Sequence, residues 1–450
     1  MLSKDDNELL TRVGPGTPMG RFMREFWIPA MLSNELASPD CPPVRIRLLG
    51  ENLIAFRTTS GQVGIVVNAC PHRGASMFFG RNEEEGLRCV YHGWKFDVAG
   101  NCVDMPSEPA ESNFKSKVRI GAYPTRERCG VIWAYMGPRE TPPPLPDLEI
   151  NMMAEGAVRP QLTLMEANWL QTIEGDLDTA HLGFLHLGAL TVNDTTPGSY
   201  DYYTVKDRAP RYVCVETDFG ATYAAFRPAD NDMVYWRIAH YMFPFYTLVP
   251  TGALGAVIRG QFWVPVDDEH TMYWGWGVVQ AAAAGRDGDR GTATNAATGR
   301  PVNTAGRGGF DYLPATTDWL GRFRITQNKA NDYLIDREAQ ASGAIWTGVR
   351  GVRQQDMVVT ESMGPIYARD KEHLGTSDSM IIRTRQRLLR AVKDMLATGA
   401  LPSAIDNPGV YRSRSGSIIL APGVDWESAT EQLRKPDVAP GEPVLQVATP

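Results

Sequence analysis

Apolar and polar residues alternate along the first third of the chain with the two-residue period of β-strands. Residues 44–48 read VRIRL, so every second side chain can face a core. Residues 63–67 and 130–135 are further short runs rich in β-branched and aromatic residues, each of the length of one strand. The pattern predicts an all-β region ahead of residue 142.

The pattern changes after a proline cluster at 142–146, which breaks regular structure and marks a boundary. Residues 211–279 contain several aromatic-rich strand candidates. Residues 281–309 are rich in Gly, Ala, Thr and Asn without an apolar period, and we expect a long surface loop there. Residues 379–397 have the apolar spacing of an amphipathic helix. The fold class predicted is α+β.

These boundaries predict a small all-β domain at 41–147 and a larger domain at 148–450. The segment 1–40 is expected to pack on the larger domain. A chain of 450 residues is long enough to bury two cores.

Composition narrows the class of protein. The chain is 43% hydrophobic and 22% charged with a net charge of −7, and this mildly acidic balance argues against a nucleic-acid partner. No apolar run reaches the roughly 18 residues of a membrane span, and the first residues lack the apolar core of a signal peptide. We therefore expect a cytoplasmic protein that does not enter a membrane.

Two short boxes, Cys70-Pro71-His72 and Cys89-Val90-Tyr91-His92, each pair a thiol with an imidazole. Nearby glycines make both boxes turns. Two Cys and two His could bind zinc, but zinc sites usually pair Cys with Cys and His with His along the chain. One sulfur and one nitrogen from each box suit a [2Fe-2S] cluster with both Cys on one iron and both His on the other. A chance pairing in core loops is the remaining alternative.

A second group of possible metal ligands lies just beyond the proline cluster. Glu174, Asp178 and His181 are four and three residues apart, so a helix would place them on one face. His186 follows five residues later, and Gly183 would let the helix unwind so that both imidazoles converge. Two His and a distant carboxylate form the facial triad of non-haem Fe(II) oxygenases. The other histidines, His240, His270 and His373, are expected to be structural or exposed.

The boxes, CPHRGAS and CVYHGWKF, resemble the Rieske cluster motif. Asp-x2-His-x4-His after such a domain resembles the catalytic (alpha) subunit of Rieske non-haem iron oxygenases. Further segments resemble the phthalate dioxygenase branch of that family: residues 15–20, 89–97, 105–109 and 361–366.

The resemblance implies a [2Fe-2S] cluster on Cys70, His72, Cys89 and His92, and a mononuclear iron on His181, His186 and a carboxylate of a C-terminal helix. The segment Gln354-Gln355-Asp356-Met357 resembles the family's segment around that carboxylate, which implies Asp356 as the ligand. Spacing alone does not exclude four other carboxylates as the third ligand: Asp332, Asp336, Glu338 and Glu361. The family fold implies an antiparallel sheet of the helix-grip type in the larger domain. It also implies a head-to-tail homotrimer or a stacked hexamer, in which Asp178 orients His181 and reaches His92 of the neighbouring subunit.

The resemblance implies an oxygenase component that uses dioxygen to hydroxylate an aromatic carboxylate, by ring dihydroxylation or O-demethylation. The sequence lacks a flavin or NAD fingerprint, so electrons would come from a separate flavin and iron–sulfur reductase, directly or through a ferredoxin. An aromatic acid needs a cation in an apolar slot, and Arg211, Arg237 and Arg259 lie in the strand region that should form it. The alternatives are a demethylase of lignin-derived biaryl acids and a Rieske electron carrier without mononuclear iron.

Overall fold

The computed structural model describes residues 2–109, 111–154, 156–157, 160–255, 258–277, 293–294, 301–302 and 310–436. The predicted loop at 281–309 lies outside the described residues, apart from two short paired strands, Ala293–Thr294 and Pro301–Val302.

The first third of the chain forms three small antiparallel sheets, as the alternating pattern predicts. One contains β2, β3, β4 and β9: Val44–Leu48, Glu51–Arg57, Val63–Val67 and Ala122–Tyr123. The next contains β5 to β8: Arg81–Glu83, Gly86–Arg88, Lys95–Phe96 and Cys102–Asp104. The last contains β1, β11 and β10: Trp27–Leu32, Val131–Tyr135 and Thr125–Arg128.

The larger domain is built on one antiparallel sheet in the order β12-β18-β17-β16-β15-β14-β13, with β21 paired to β15. In chain order, β12 to β18 and β21 are Gln161–Met165, Arg211–Thr217, Gly220–Pro228, Val234–Met242, Tyr246–Leu248, Arg259–Pro265, Thr271–Gly277 and Gly416–Leu420. The two-residue strands at 293–294 and 301–302 are β19 and β20. Together with its helices, this sheet confirms the α+β class.

Two of the described helices, Trp169–Leu177 and Ser379–Thr398, contact strands of this sheet. The described helices are α1 to α8: Lys4–Thr11, Pro18–Arg24, Trp169–Leu177, Tyr200–Lys206, Arg337–Ala341, Val352–Ser362, Ser379–Thr398 and Trp426–Thr430. The predicted amphipathic helix is α7, which packs on β13 and β14 and ends where Gly399 adopts φ 78°. No helix in the described ranges is long and apolar enough to cross a membrane.

The N-terminal segment contacts both halves of the molecule. Side chains at the start of α3 reach the end of α1: Asn168 Nδ2 donates to the carbonyl of Thr11 (2.9 Å) and Trp169 Nε1 to that of Leu10 (3.1 Å). Strand β1, by contrast, pairs with β11 of the small domain. The domain boundaries at residues 40 and 147 stay predictions.

Candidate metal centres

The two Cys/His boxes fold into loops of the same geometry. In the first loop, the amide of Cys70 donates to the carbonyl of Ala75 and the amide of Gly74 donates to the carbonyl of Cys70, both at 2.8 Å. The second loop repeats both bonds around Cys89, at 2.8 and 3.0 Å. Gly74 and Gly93 adopt φ 75° and 77°, a conformation that glycine reaches without strain. The two loops therefore hold their Cys and His side chains in the same backbone geometry.

The two loops bring the cysteines into one core cluster of the small domain and the two histidines into contact with each other. Cys70 and Cys89 are each 3% exposed and belong to its core, while the rings of His72 and His92 lie 4.3 Å apart. Burial, with a smaller contribution from Cys89, raises the pKa of the Cys70 thiol to about 11. His72 stacks on Trp94 at 4.3 Å, and its buried Nδ1 has no hydrogen-bond partner among the described residues.

This arrangement fits a two-iron cluster better than one zinc ion. A single tetrahedral ion would require ligand atoms gathered around one point. Among the described residues, no three of these four side chains bring their ligand atoms within 4.8 Å of one another. Two sulfurs and two nitrogens, one of them a buried nitrogen without a partner, suit the two ends of a [2Fe-2S] cluster.

The second candidate centre begins where α3 ends. Asp178 follows the last helical residue, Leu177, in an extended conformation, and His181 begins a short 3-10 turn. The prediction that Glu174, Asp178 and His181 share a helical face is therefore wrong. The Asp178 carboxylate accepts from the amide of Ala180 at 2.6 Å, a local bond that competes with continuation of the helix.

Glu174 belongs to a different set of contacts. Its carboxylate is buried in ion pairs with Arg369 (3.1 Å) and Arg385 (2.6 Å), rather than with the histidines.

His181, His186 and Asp356 converge, although 170 residues separate the last two in sequence. The Nε2 atoms of His181 and His186 are 3.2 Å apart. Oδ1 of Asp356 lies 3.7 Å from Nε2 of His181 and 3.2 Å from Nε2 of His186. Within the described part of the chain, this is the group of three or more such residues whose ligand atoms all lie within 4.8 Å. Two imidazoles and one carboxylate on one side of a common point form a facial triad.

Two neighbouring side chains orient the imidazoles. Gln355 Nε2 donates to the carbonyl of Val349 at 2.9 Å, which turns Oε1 towards His186 Nδ1 at 2.8 Å. Asp178 Oδ2 lies 3.4 Å from His181 Nδ1. Both contacts favour a proton on Nδ1 of the imidazole, so that the lone pair of Nε2 faces the centre. Burial opposes ionisation of both Asp178 and His181, but their contact lowers the pKa of the acid and raises that of the imidazole.

Arg353, whose side chain is 15% exposed, is a cation beside the centre that the sequence did not single out. Its Nη1 lies 3.3 Å from Asp356 Oδ2 and 3.8 Å from Asp176, and its Nη2 donates to Gln261 and Tyr273 at 3.2 Å. Burial alone would raise the pKa of Asp356, but His186, Arg353 and His181 lower it to about 2. The sequence did contain a signal for it: Arg353 lies three residues before Asp356 on the implied C-terminal helix, a spacing that lets two side chains contact each other.

The four competing carboxylates have other partners or lie in solvent. Asp336 caps α5 by accepting from the amide of Ala339, and Glu361 is bonded to Tyr333. Asp332 and Glu338 are exposed. Asp356 is thus the candidate that the fold brings to the histidines.

Two cavities meet at this centre, one of about 290 Å³ and one of about 470 Å³. Arg237 and Arg259 line the smaller cavity, and their role as substrate contacts stays a prediction. Arg211 does not. It lies on edge strand β13, its side chain is 62% exposed, and it faces Asp207 at 3.9 Å. The expectation that Arg211 lines the slot is corrected, because side chains alternate along β13 and that of Arg211 is on the exposed side.

Arg237 is held rigidly at the wall of the smaller cavity. Its Nε donates to Thr179 Oγ1 at 2.9 Å, and its guanidinium lies 4.2 Å from the centre of the Tyr200 ring. The residue is 4% exposed, and Nη1 finds no acceptor in the part of the chain that the structure describes. Arg237 therefore places a fixed positive charge at the wall of the cavity that also contains the triad.

The remaining histidines follow their expected structural or exposed positions. His240 is buried between Thr222 and the carbonyl of Arg414, and burial lowers its pKa to about 4. His270 contacts Asp267 at 2.8 Å. His373 is exposed at the rim of the larger cavity.

Family models match both halves of the chain. The model described as "Rieske [2Fe-2S] domain" matches residues 26–124, and the model described as "LigXa C-terminal domain like" matches residues 134–438. The chain belongs to the Rieske non-haem iron oxygenases. It is an oxidoreductase, and the oxygenase subunits of this family carry a Rieske cluster and a mononuclear iron.

Relatives of this Rieske oxygenase lie in the phthalate dioxygenase-like branch. It is 45% identical to the 3-chlorobenzoate-3,4-dioxygenase oxygenase subunit of Comamonas testosteroni, over 95% of this chain and 97% of that one. It is 36% identical to the phthalate 4,5-dioxygenase oxygenase subunit of Pseudomonas putida, over 95% and 94%. Identity is 32% to the 5,5'-dehydrodivanillate O-demethylase oxygenase subunit of a Sphingobium species, over 90% and 84%.

A crystal structure of dicamba monooxygenase bound to dicamba shares the fold. It superposes with a TM-score of 0.54 at 16% identity, covering 84% of this Rieske oxygenase and 99% of that chain.

Proposed function

We propose that this oxygenase component hydroxylates an aromatic carboxylate, by cis-dihydroxylation of the ring or by O-demethylation of a methoxylated acid. The observation that carries the proposal is the guanidinium of Arg237, a buried cation and donor that lines the cavity which also contains His181, His186 and Asp356. A substrate carboxylate would accept from this donor in a charge-assisted hydrogen bond. Two relatives are named for such acids, 3-chlorobenzoate and phthalate.

Cys70, His72, Cys89 and His92 would hold the cluster, and His181, His186 and Asp356 the iron. When bound, the two groups supply stepwise electrons and an open coordination position for dioxygen. The protein residues do the positioning. Gln355 and Asp178 hold the imidazole protons on Nδ1, Arg353 neutralises the outer oxygen of Asp356, and Arg237 anchors the acid with its ring towards the triad.

The proposed assembly is a head-to-tail homotrimer, alone or stacked as a hexamer, in which Asp178 links His181 to His92 of the next subunit. Exposed apolar residues at both ends of the proposed contact support it. Val90 and Tyr91 are 56% and 54% exposed in the second box, and Val359 and Met363 are 37% and 47% exposed along the larger cavity, which Asp178 also lines. A cytoplasmic reductase with flavin and iron–sulfur groups, directly or through a ferredoxin, would supply electrons.

Substitution of Arg237 tests the substrate class. In the holoenzyme, Arg237→Met should weaken binding of benzoate and 3-methoxybenzoate by about tenfold or more, because the charged bond is lost. Arg237→Lys should recover part of the affinity, and Arg211→Met, on the exposed edge strand, should match wild type. Unchanged calorimetric affinity in Arg237→Met would refute an acid anchored at this residue.

The same holoenzyme, supplied with a surrogate reductase, distinguishes the two reactions. Release of formaldehyde from 3-methoxybenzoate marks O-demethylation, and formation of a dihydrodiol marks ring attack. The similarity to an O-demethylase of a biaryl acid favours including 5,5'-dehydrodivanillate as a second candidate substrate. Failure to oxidise any of these acids, with both metal centres loaded, would count against the proposed function.

A further inference from the structure

Gly175 lies in the last turn of α3, where packing gives no reason for a glycine. A helical glycine costs stability relative to alanine. A Cβ added at Gly175 would meet no described atom within 4 Å other than those of its chain neighbours and of the backbone of its own helix. Gly20 in α2 shows the opposite case, since its added Cβ would lie 2.3 Å from the carbonyl oxygen of Val13. The space beside Gly175 is therefore empty of protein among the described residues.

That space adjoins both cavities at the proposed iron centre. The residues lining both cavities are Gly175, Asp178, His181, Arg353 and Asp356. Four of these carry side chains held in place by the contacts described above, so they cannot move aside without disturbing the triad. Gly175 is the member of this set without a side chain, and its Cα is part of the wall where the cavities meet.

We propose that Gly175 sets the width of the passage between the two cavities and thereby selects aromatic acids by the size of a ring substituent. This inference rests on the proposed function, in which the carboxylate binds Arg237 in the smaller cavity. An acid anchored there extends its ring past the triad, and a substituent on the ring then occupies the space beside Gly175. A side chain at position 175 would fill that space and exclude wide acids more strongly than narrow ones.

The test is calorimetric titration of the iron-loaded holoenzyme with benzoate and 3-methoxybenzoate, in wild type, Gly175→Ala and Gly175→Leu. The dissociation constant of 3-methoxybenzoate, divided by that of benzoate, should rise about tenfold in Gly175→Leu. The same ratio should rise by a smaller factor in Gly175→Ala. Gly175→Ala should unfold at a temperature no lower than wild type, since helix propensity improves and nothing is displaced. Gly14→Ala is the matched control, because its Cβ also meets no described atom within 4 Å and Gly14 lines neither cavity.

The outcomes separate this inference from the proposed function. If wild type binds neither acid, the aromatic-acid function fails and this inference fails with it. If wild type binds both and the ratio is unchanged in Gly175→Ala and Gly175→Leu, the passage is refuted while the function stands. A lower unfolding temperature in Gly175→Ala than in wild type would refute the open space itself. If Gly175→Leu does not load its metals, the ratio of dissociation constants in Gly175→Ala decides whether the passage is refuted.

Discussion

At the residue scale, Asp356 is held so that its two oxygens have different partners. Oδ1 faces the Nε2 atom of His186 at 3.2 Å, and Oδ2 faces Arg353 at 3.3 Å. With a pKa of about 2, the carboxylate is ionised at any pH at which the protein would be assayed. It can therefore act as a permanent anionic ligand beside the two imidazoles.

We predict that Asp356→Asn lowers the iron content from about three to about two atoms per chain, because the neutral amide is a poor ligand and the two-iron cluster stays in place. Iron analysis and the visible spectrum together check this result. Asp332→Asn, at an exposed carboxylate of the same region, is the control and should keep full iron. Full iron and turnover in Asp356→Asn would show that another carboxylate is the ligand.

His92→Ala should remove the Rieske absorption and electron-spin signals, because the cluster loses one of four ligands. The mononuclear site should still bind iron, since none of its ligands is in the small domain. His270→Ala, which removes a histidine paired with Asp267, should leave both spectra unchanged. A wild-type spectrum in His92→Ala would contradict the assignment of both boxes.

At the scale of elements, a buried network of charges joins α3, α7 and the segment before α7. Arg385 of α7 contacts both Glu174 of α3 and Glu372, and Arg369 bonds Glu174 and Asn7 of α1. Burial works against the charge of Glu174, but the two arginines hold its pKa below the ordinary value of 4.5. The helix that leads to His181 is thus fixed to the rest of the domain by ion pairs.

Glu174→Gln should lower the free energy of unfolding by about 3 kcal/mol at neutral pH, because it leaves Arg369 buried without a carboxylate and removes one of the two carboxylates that contact Arg385. Because the folded pKa lies below the unfolded one, the stabilisation is complete above about pH 4.5 and is lost as pH falls through the folded pKa. The difference between wild type and variant should therefore shrink in acid.

Denaturant unfolding at neutral and acidic pH measures this difference. Glu431→Gln removes an exposed ion pair with Lys435 and should leave the free energy of unfolding nearly unchanged, because water screens the pair. An equal effect of both substitutions would show that the buried network contributes no more than a surface pair.

At the scale of the whole molecule, the proposed trimer divides each reaction between two chains. Mixed oligomers of His92→Ala and His181→Ala chains test this division, because each variant lacks a different metal centre. In a cyclic trimer, equal mixing pairs an intact cluster with an intact iron at one junction in four, so about a quarter of wild-type turnover should return. Either variant alone should be inactive, and an inactive mixture would contradict electron transfer between subunits.

Asp178→Asn should keep both metal centres but slow electron transfer between them by orders of magnitude, because the amide no longer favours a proton on the imidazole at each side. Reoxidation of the reduced cluster in a single turnover, with substrate and dioxygen present, measures the rate. Asp267→Asn, which removes a carboxylate contact from His270, is the control. A wild-type rate in Asp178→Asn would limit Asp178 to orienting His181.

The sequence by itself determined the features encoded over a few residues. The sequence predicted the strand and helix patterns, the paired boxes and the two histidines. Each of these features depends on the spacing of residues that are close together in the chain. The same local logic failed at Asp178, where a side-chain bond to Ala180 accompanies the end of the helix that spacing had extended.

Only the tertiary structure brought distant positions together. The bond from Gln355 to His186 spans 169 residues, and the partners of Arg353 come from β17 and β18 as well as from α6. Arg211 and Arg237 look alike in sequence, but the edge strand exposes one and the sheet interior buries the other. Burial and cavity shape depend on how the whole sheet packs, and short-range spacing carries no information about that packing.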